Sequence, residues 1–133
     1  MEILNIAPTE NSPMVILDPF SLNFVIEGES RPENVGKFYE PIIQWLKQFH
    51  SVLFWQKSKY EASAKIVFDF KMNYFNSTSA KYLLDILRLI DMCHADGCSV
   101  VINWHYDQRD EDMKESGEEF AELIDADFQF VAN

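Results

Sequence analysis

The chain is short of the residues on which several kinds of site depend. Its 133 residues hold four glycines, and neither G-x-x-x-x-G-K-[ST] nor G-x-G-x-x-G occurs, which leaves little scope for a glycine-rich nucleotide cradle. There is no G-x-S-x-G elbow and no cysteine placed with a base, which removes the common routes to nucleophilic catalysis. The two cysteines, Cys93 and Cys98, make no disulfide framework and are expected as reduced thiols. Basic residues are scarce, 11 against 22 acidic, for a net charge of -11. That balance disfavours nucleic acid and anionic membrane surfaces as direct partners and favours a protein partner or a cationic patch. No apolar run approaches the roughly 18 to 20 residues of a membrane span, and the first residues lack the basic and apolar regions of a signal peptide. A cytoplasmic protein without membrane insertion is expected. No cofactor and no enzymatic activity are expected either.

What the chain has is 47% apolar residues, enough for one core in a single domain over residues 1–133, with residues 1–13 as an irregular lead-in. Residues 64–97 organise the rest. Ile66, Phe68, Phe70 and Met72 alternate with Lys65, Asp69 and Lys71, the period of a strand with one buried face. Ala80, Leu83, Leu84, Leu87 and Ile90 follow at helical spacing, and Gly97 ends the helix. A parallel strand over 99–104 completes a right-handed strand, helix, strand unit. Residues 14–17 and 22–27 read as a hairpin turning at Asp18 and Pro19. Residues 31–34 open a helix whose stripe is Phe38, Ile42, Trp45, Leu46, Phe49 and Leu53, with Pro41 marking a bend or a late start. Residues 56–63 read as a loop and 105–109 as another. An acidic helix over 110–125 turns Met113, Phe120, Leu123 and Ile124 inward, and 127–131 forms a final edge strand. Because the inner strands alternate rather than run apolar throughout, helices chiefly on one face are expected.

Three consecutive hydroxyls, Ser77, Thr78 and Ser79, lie where the central helix begins. One of them as N-cap is the plain explanation. A phosphate there would also meet free N–H groups and the positive end of the dipole, so a regulatory phosphosite stands beside it. Tyr74, Phe75, Trp104 and Tyr106 fall at the carboxyl ends of strands; they cap the core or form a partner-binding rim around Ser77. Cys93, His94, Cys98 and His105 lack the spacing of metal ligands. Asp107, Asp110, Glu111 and Asp112 lack the glycine and closing glutamate of a calcium loop. No metal site is expected.

Residues 9–13, Gly28-Glu29-Ser30-Arg31-Pro32-Glu33-Asn34, Tyr74-Phe75-Asn76-Ser77-Thr78-Ser79-Ala80-Lys81, Asn103-Trp104-His105-Tyr106-Asp107 and Asp110-Glu111-Asp112 carry a resemblance to the SiaC-type bacterial regulatory phosphoproteins. That family is related in fold to the STAS anti-sigma factor antagonists. The resemblance covers nearly the whole chain and implies an α/β, STAS-like fold with a mixed four- to five-stranded sheet. It implies a non-catalytic partner switch whose unmodified form binds and activates a diguanylate cyclase. A serine/threonine kinase adds, and a PP2C-type phosphatase removes, a phosphate at the first hydroxyl after the asparagine. Here that hydroxyl is Ser77, where the family has threonine. Thr78 is the fallback, since the wider STAS group uses the second hydroxyl of a D-S-S-G motif, in which Asn76 and Ser79 replace the aspartate and glycine. The implied docking surface is Tyr74, Phe75, Asn76, Ser77, Thr78, Ser79, Lys81, Trp104 and Tyr106. Alternatives are an anti-sigma factor antagonist or a constitutive adaptor using the acidic helix.

Overall fold

The computed structural model describes residues 1–55 and 65–133; the loop expected over 56–63 lies outside the described residues. The elements run β1 (Leu4–Ile6), β2 (Met14–Leu17), β3 (Asn23–Ser30), α1 (Val35–Trp55), β4 (Lys65–Phe75), α2 (Ser77–Ala95), β5 (Ser99–Tyr106), α3 (Glu111–Ala121) and β6 (Asp127–Ala132). They build one six-stranded sheet in the order β1-β2-β3-β4-β5-β6. The first two pairings are antiparallel and the remaining three parallel.

Each parallel strand is laid beside the one before it, always in the same direction. Right-handed crossovers that keep stepping the same way leave their helices on one side. Burial follows that geometry. Ile66, Phe68, Phe70 and Met72 are buried against the helices, while Val67, Asp69 and Lys71 on the other face are half-buried. Parallel sheets are usually covered on both sides; this one is mixed, and its alternating strands suit a single helical layer.

The strand count exceeds the expected four to five because part of the lead-in is ordered. Leu4, Asn5 and Ile6 pair with Leu17, Ile16 and Val15, giving the backbone of β2 a partner it would otherwise lack at the sheet edge. The indole of Trp45 in α1 donates to the Glu2 carbonyl at 2.9 Å. Three strands also outrun their expected ends. At Gly28, with φ +123°, the register with β4 slips between Gly28 and Glu29, and this bulge lets β3 continue to Ser30. β4 runs on to Phe75, and β5 takes in His105 and Tyr106, which the sequence placed in a loop.

Helix boundaries shift for similar local reasons. α1 starts at Val35, after Asn34 accepts from the Lys37 N–H at 3.0 Å, so residues 31–34 precede the helix and Pro41 sits inside it. α3 stops at Ala121, short of the expected 125. The turn that follows leaves Leu123 54% exposed rather than inward, while Ile124 is buried. The hairpin turns at Asp18 as expected. Its Oδ1 accepts from the Phe20 N–H at 2.8 Å, a bond that holds the carboxyl below its usual range.

An aromatic line crosses the core from Phe24 to Phe68 (5.6 Å between centroids), Phe70 (4.3 Å) and Trp104 (5.7 Å). Trp104 has no exposed surface, and its indole N–H donates to the Met113 carbonyl of α3 at 2.9 Å. A Cβ built on Gly117 would lie 2.6 Å from Nε1 and 2.8 Å from Cγ of that indole. Only a residue without a side chain lets α3 approach this closely. Gly117→Ala is therefore expected to destabilise the fold by about 1–3 kcal/mol through overpacking. Urea titration checks this, and an unchanged midpoint would refute it.

Candidate functional site

The surface around the start of α2 is built by the ends of two parallel strands and the first turns of two helices. Asn76, extended at φ -81° and ψ 172°, caps α2 by accepting from the Ser79 N–H at 2.8 Å. The cap is therefore the asparagine and none of the three hydroxyls, which occupy the first turn itself. Asn76 in turn donates its own N–H to the Ser30 carbonyl at 3.1 Å, tying the end of β4 to the end of β3.

Beneath this turn lies a chain of buried hydroxyls. Ser79 Oγ donates to the Ser30 carbonyl at 3.0 Å, and Ser30 Oγ donates to Ser79 Oγ at 2.9 Å. With the Ser30 proton committed, Tyr39 Oη donates to Ser30 Oγ at 2.5 Å. All three residues have no exposed surface. Each hydroxyl donates once, so none is left unsatisfied in the interior. Burial pushes the Tyr39 hydroxyl above its ordinary pKa, opposed by its bonds to Ser30 and Ser79. The ring of Tyr39 stacks on Tyr82 of α2 at 5.4 Å, and Lys81 Nζ stands 5.6 Å over the Tyr82 ring.

The expected docking residues divide by depth. Ser77, Thr78 and Lys81 are exposed, as is Tyr74 at 49%; Phe75, Asn76 and Tyr106 are half-buried. Ser79 and Trp104 are fully buried, which corrects their place on the surface: the first belongs to the hydroxyl chain, the second to the α3 contact. Phe75 packs edge-on to Trp104 at 6.2 Å and near Phe120 at 6.1 Å, so the aromatics partly cap the core and only Tyr74 stands clear of it.

A second feature was not legible beforehand. On the face of the sheet away from α1, α2 and α3, Asp69 Oδ1 accepts from Asn103 Nδ2 at 3.1 Å and from His105 Nε2 at 2.8 Å. Beside them a cleft of about 610 Å³ is lined by Lys71, His105 and Arg109 together with Glu27, Asp107 and Asp110. Hydrogen bonds from Arg109 hold the Asp107 carboxyl down at about 2. The signal was the parity of Asp69 and His105, visible only once β5 is carried to Tyr106. Among the described residues, no three His, Cys, Asp or Glu side chains gather closely enough to hold a metal ion.

The model of the SiaC family regulatory phosphoproteins matches residues 6–133. The chain belongs to the SiaC family. It is 31% identical over 131 residues to an uncharacterised protein of Pseudomonas aeruginosa (strain UCBPP-PA14), covering 98% of this chain and 95% of that one. Among solved structures it is similar to apo-SiaC from Pseudomonas aeruginosa, with a TM-score of 0.85, 29% identity, and 99% and 100% of the two chains covered. It is equally similar to a chain in the crystal structure of the diguanylate cyclase SiaD in complex with its activator SiaC from that organism. There the TM-score is 0.84, with 29% identity and 98% and 99% covered. The α/β architecture of this SiaC-family chain thus extends to its relatives at full length.

Ser79→Ala removes the link between Ser30 and α2 and is expected to cost about 1–3 kcal/mol, whereas Ser77→Ala and Thr78→Ala stay within about 0.5 kcal/mol. Chemical denaturation of the three variants checks the contrast. For Tyr39 the raised folded-state pKa has a definite sign: its stability contribution is full below the ordinary value of 10.0 and is lost as pH rises through the folded value. Stability should therefore fall above pH 10 in the unmutated chain and fall less in Tyr39→Phe. Parallel alkaline profiles would refute the assignment.

Proposed function

We propose that this chain is a non-catalytic, phosphorylation-controlled partner switch of the cytoplasm. Its unmodified form docks on a diguanylate cyclase and activates it. A serine/threonine kinase phosphorylates Ser77 and releases the complex, and a PP2C-type phosphatase resets it. The membership in a family of regulatory phosphoproteins supports the class, and the relative described as the activator of SiaD supports the partner. Among the described residues no helix is long and apolar enough to cross a membrane.

The observation that carries this reading is the opposite exposure of neighbours on one turn. Ser77 is exposed while Ser79 is fully buried. An anion on Ser77 would face solvent and the positive end of α2, with the core network undisturbed. The phosphoryl group adds about -1.5 to -2 charge and a tightly held hydration shell. A hundredfold loss of partner affinity needs roughly 2.8 kcal/mol, within reach of a desolvated like-charge clash. The fold can thus tolerate the modification while a docked surface cannot.

Binding to a SiaD-type diguanylate cyclase tests the switch, with Ser77→Ala, Ser77→Asp and Thr78→Asp beside the unmutated chain. Ser77→Ala should bind normally and Ser77→Asp at least about tenfold more weakly. Aspartate near a helix start stabilises by about 0.3–1 kcal/mol, so unfolding would not explain the loss. Weakening confined to Thr78→Asp would move the site by one residue. Equal binding by all four would overturn the proposal. If instead only neutralising Glu115, Glu118 and Glu122, exposed on and just after α3, abolished binding, the chain would be a constitutive adaptor.

A further inference from the structure

We propose that Cys93 and Cys98 form a peroxide-sensitive dithiol that closes reversibly to an intramolecular disulfide at the C-terminal end of α2. The geometry of the helix end brings them together. Gly97 has φ +98°, its N–H donates to the His94 carbonyl at 2.9 Å, and the Cys98 N–H reaches back to the Cys93 carbonyl at 3.0 Å. These are the two bonds of a Schellman ending, which folds the backbone of Cys98 back onto that of Cys93 and is frequently accompanied by an apolar contact between the side chains at these two positions. Here both are thiols. Their charges interact accordingly: burial pushes the Cys93 thiol up to about 12, and Cys98 and then Asp96 add to the rise.

The two sulfurs have unequal access. Cys93 is 1% exposed, with Sγ 3.8 Å from the Leu89 carbonyl, whereas Cys98 is half-buried. A small hydroperoxide therefore meets Cys98 first. The Cys98 thiolate attacks one peroxide oxygen, the O–O bond breaks, and a sulfenic acid forms as water or an alcohol leaves. Cys93, whose raised pKa makes this the slower step, gives up its proton as its sulfur attacks the Cys98 sulfur; the S–O bond breaks, the S–S bond forms, and water departs with that proton. The thiol pair supplies the two electrons that reduce the peroxide. A dithiol reductant reverses the step. Disulfides of this kind in reducing compartments are usually transient and sensory. Ser77 lies at the other end of α2, so this modification is chemically separate from the phosphosite.

The test treats the full chain with hydrogen peroxide, denatures it, and alkylates it with N-ethylmaleimide before intact-mass measurement. The expected product is a monomer lighter by two hydrogens, carrying no adduct, and taking two adducts after dithiothreitol. With two cysteines in the chain, no other intramolecular pairing exists. Cys98→Ser, which leaves the buried position intact, should keep Cys93 unreacted and take one adduct. Cys93→Ser should stop at a sulfenic acid that dimedone captures. Two adducts persisting on the peroxide-treated unmutated chain, sulfinic acid at Cys98 without a link, or disulfide-bonded dimers would each overturn the proposal.

Discussion

The hydroxyl groups of Tyr39, Ser30 and Ser79 fix where α2 begins, and the exposure of Ser77 and Thr78 depends on that position. They come from α1, the end of β3 and the first turn of α2, and they are sealed from water. A buried polar group without a partner costs about 1–3 kcal/mol, so the three are bound to one another or the junction fails. Once Ser79 is held inward, the geometry of a helix sends Ser77 and Thr78 outward. The exposed hydroxyls are thus a consequence of the buried one. The same turn that anchors the helix presents its first residue to solvent, away from the core.

The one-sided layering supplies the second constraint. α3 is pressed onto β5 through the Trp104 indole and the absent side chain of Gly117, closing the helical layer over the aromatic line of the core. Among the described residues no helix lies on the opposite face of the sheet, where polar residues pair across strands, as Asp69 does with Asn103 and His105. That face holds the mixed-charge cleft, while the helix face holds Ser77, although both lie near the carboxyl ends of the same strands.

Much of this was legible in the residues because the signals were local. Alternation in 65–72 and helical spacing in 80–90 are properties of neighbouring positions, and the Gly97 stop needs only a backbone free to take positive φ. The acidic balance and the absence of phosphate-loop glycines likewise need no fold to be read. Strand ends were less legible: a bulge at Gly28 carries β3 onward, and His105 and Tyr106 look like loop residues until β6 pairs with them. β1 has three residues, too few for any period to show.

By itself the sequence determined the order of strands and helices after β1, the place of the hydroxyl turn between them, and the kinship of nearly the whole chain. It could not decide which of three adjacent hydroxyls faces water, because Ser77, Thr78 and Ser79 are chemically alike. Only the docking of α2 against β3 and α1 separates them, through a serine 49 residues away in the chain. Pairings that distant leave no trace in local periodicity. They exist because burial of an unpaired hydroxyl is costly, and only the assembled core provides the partner.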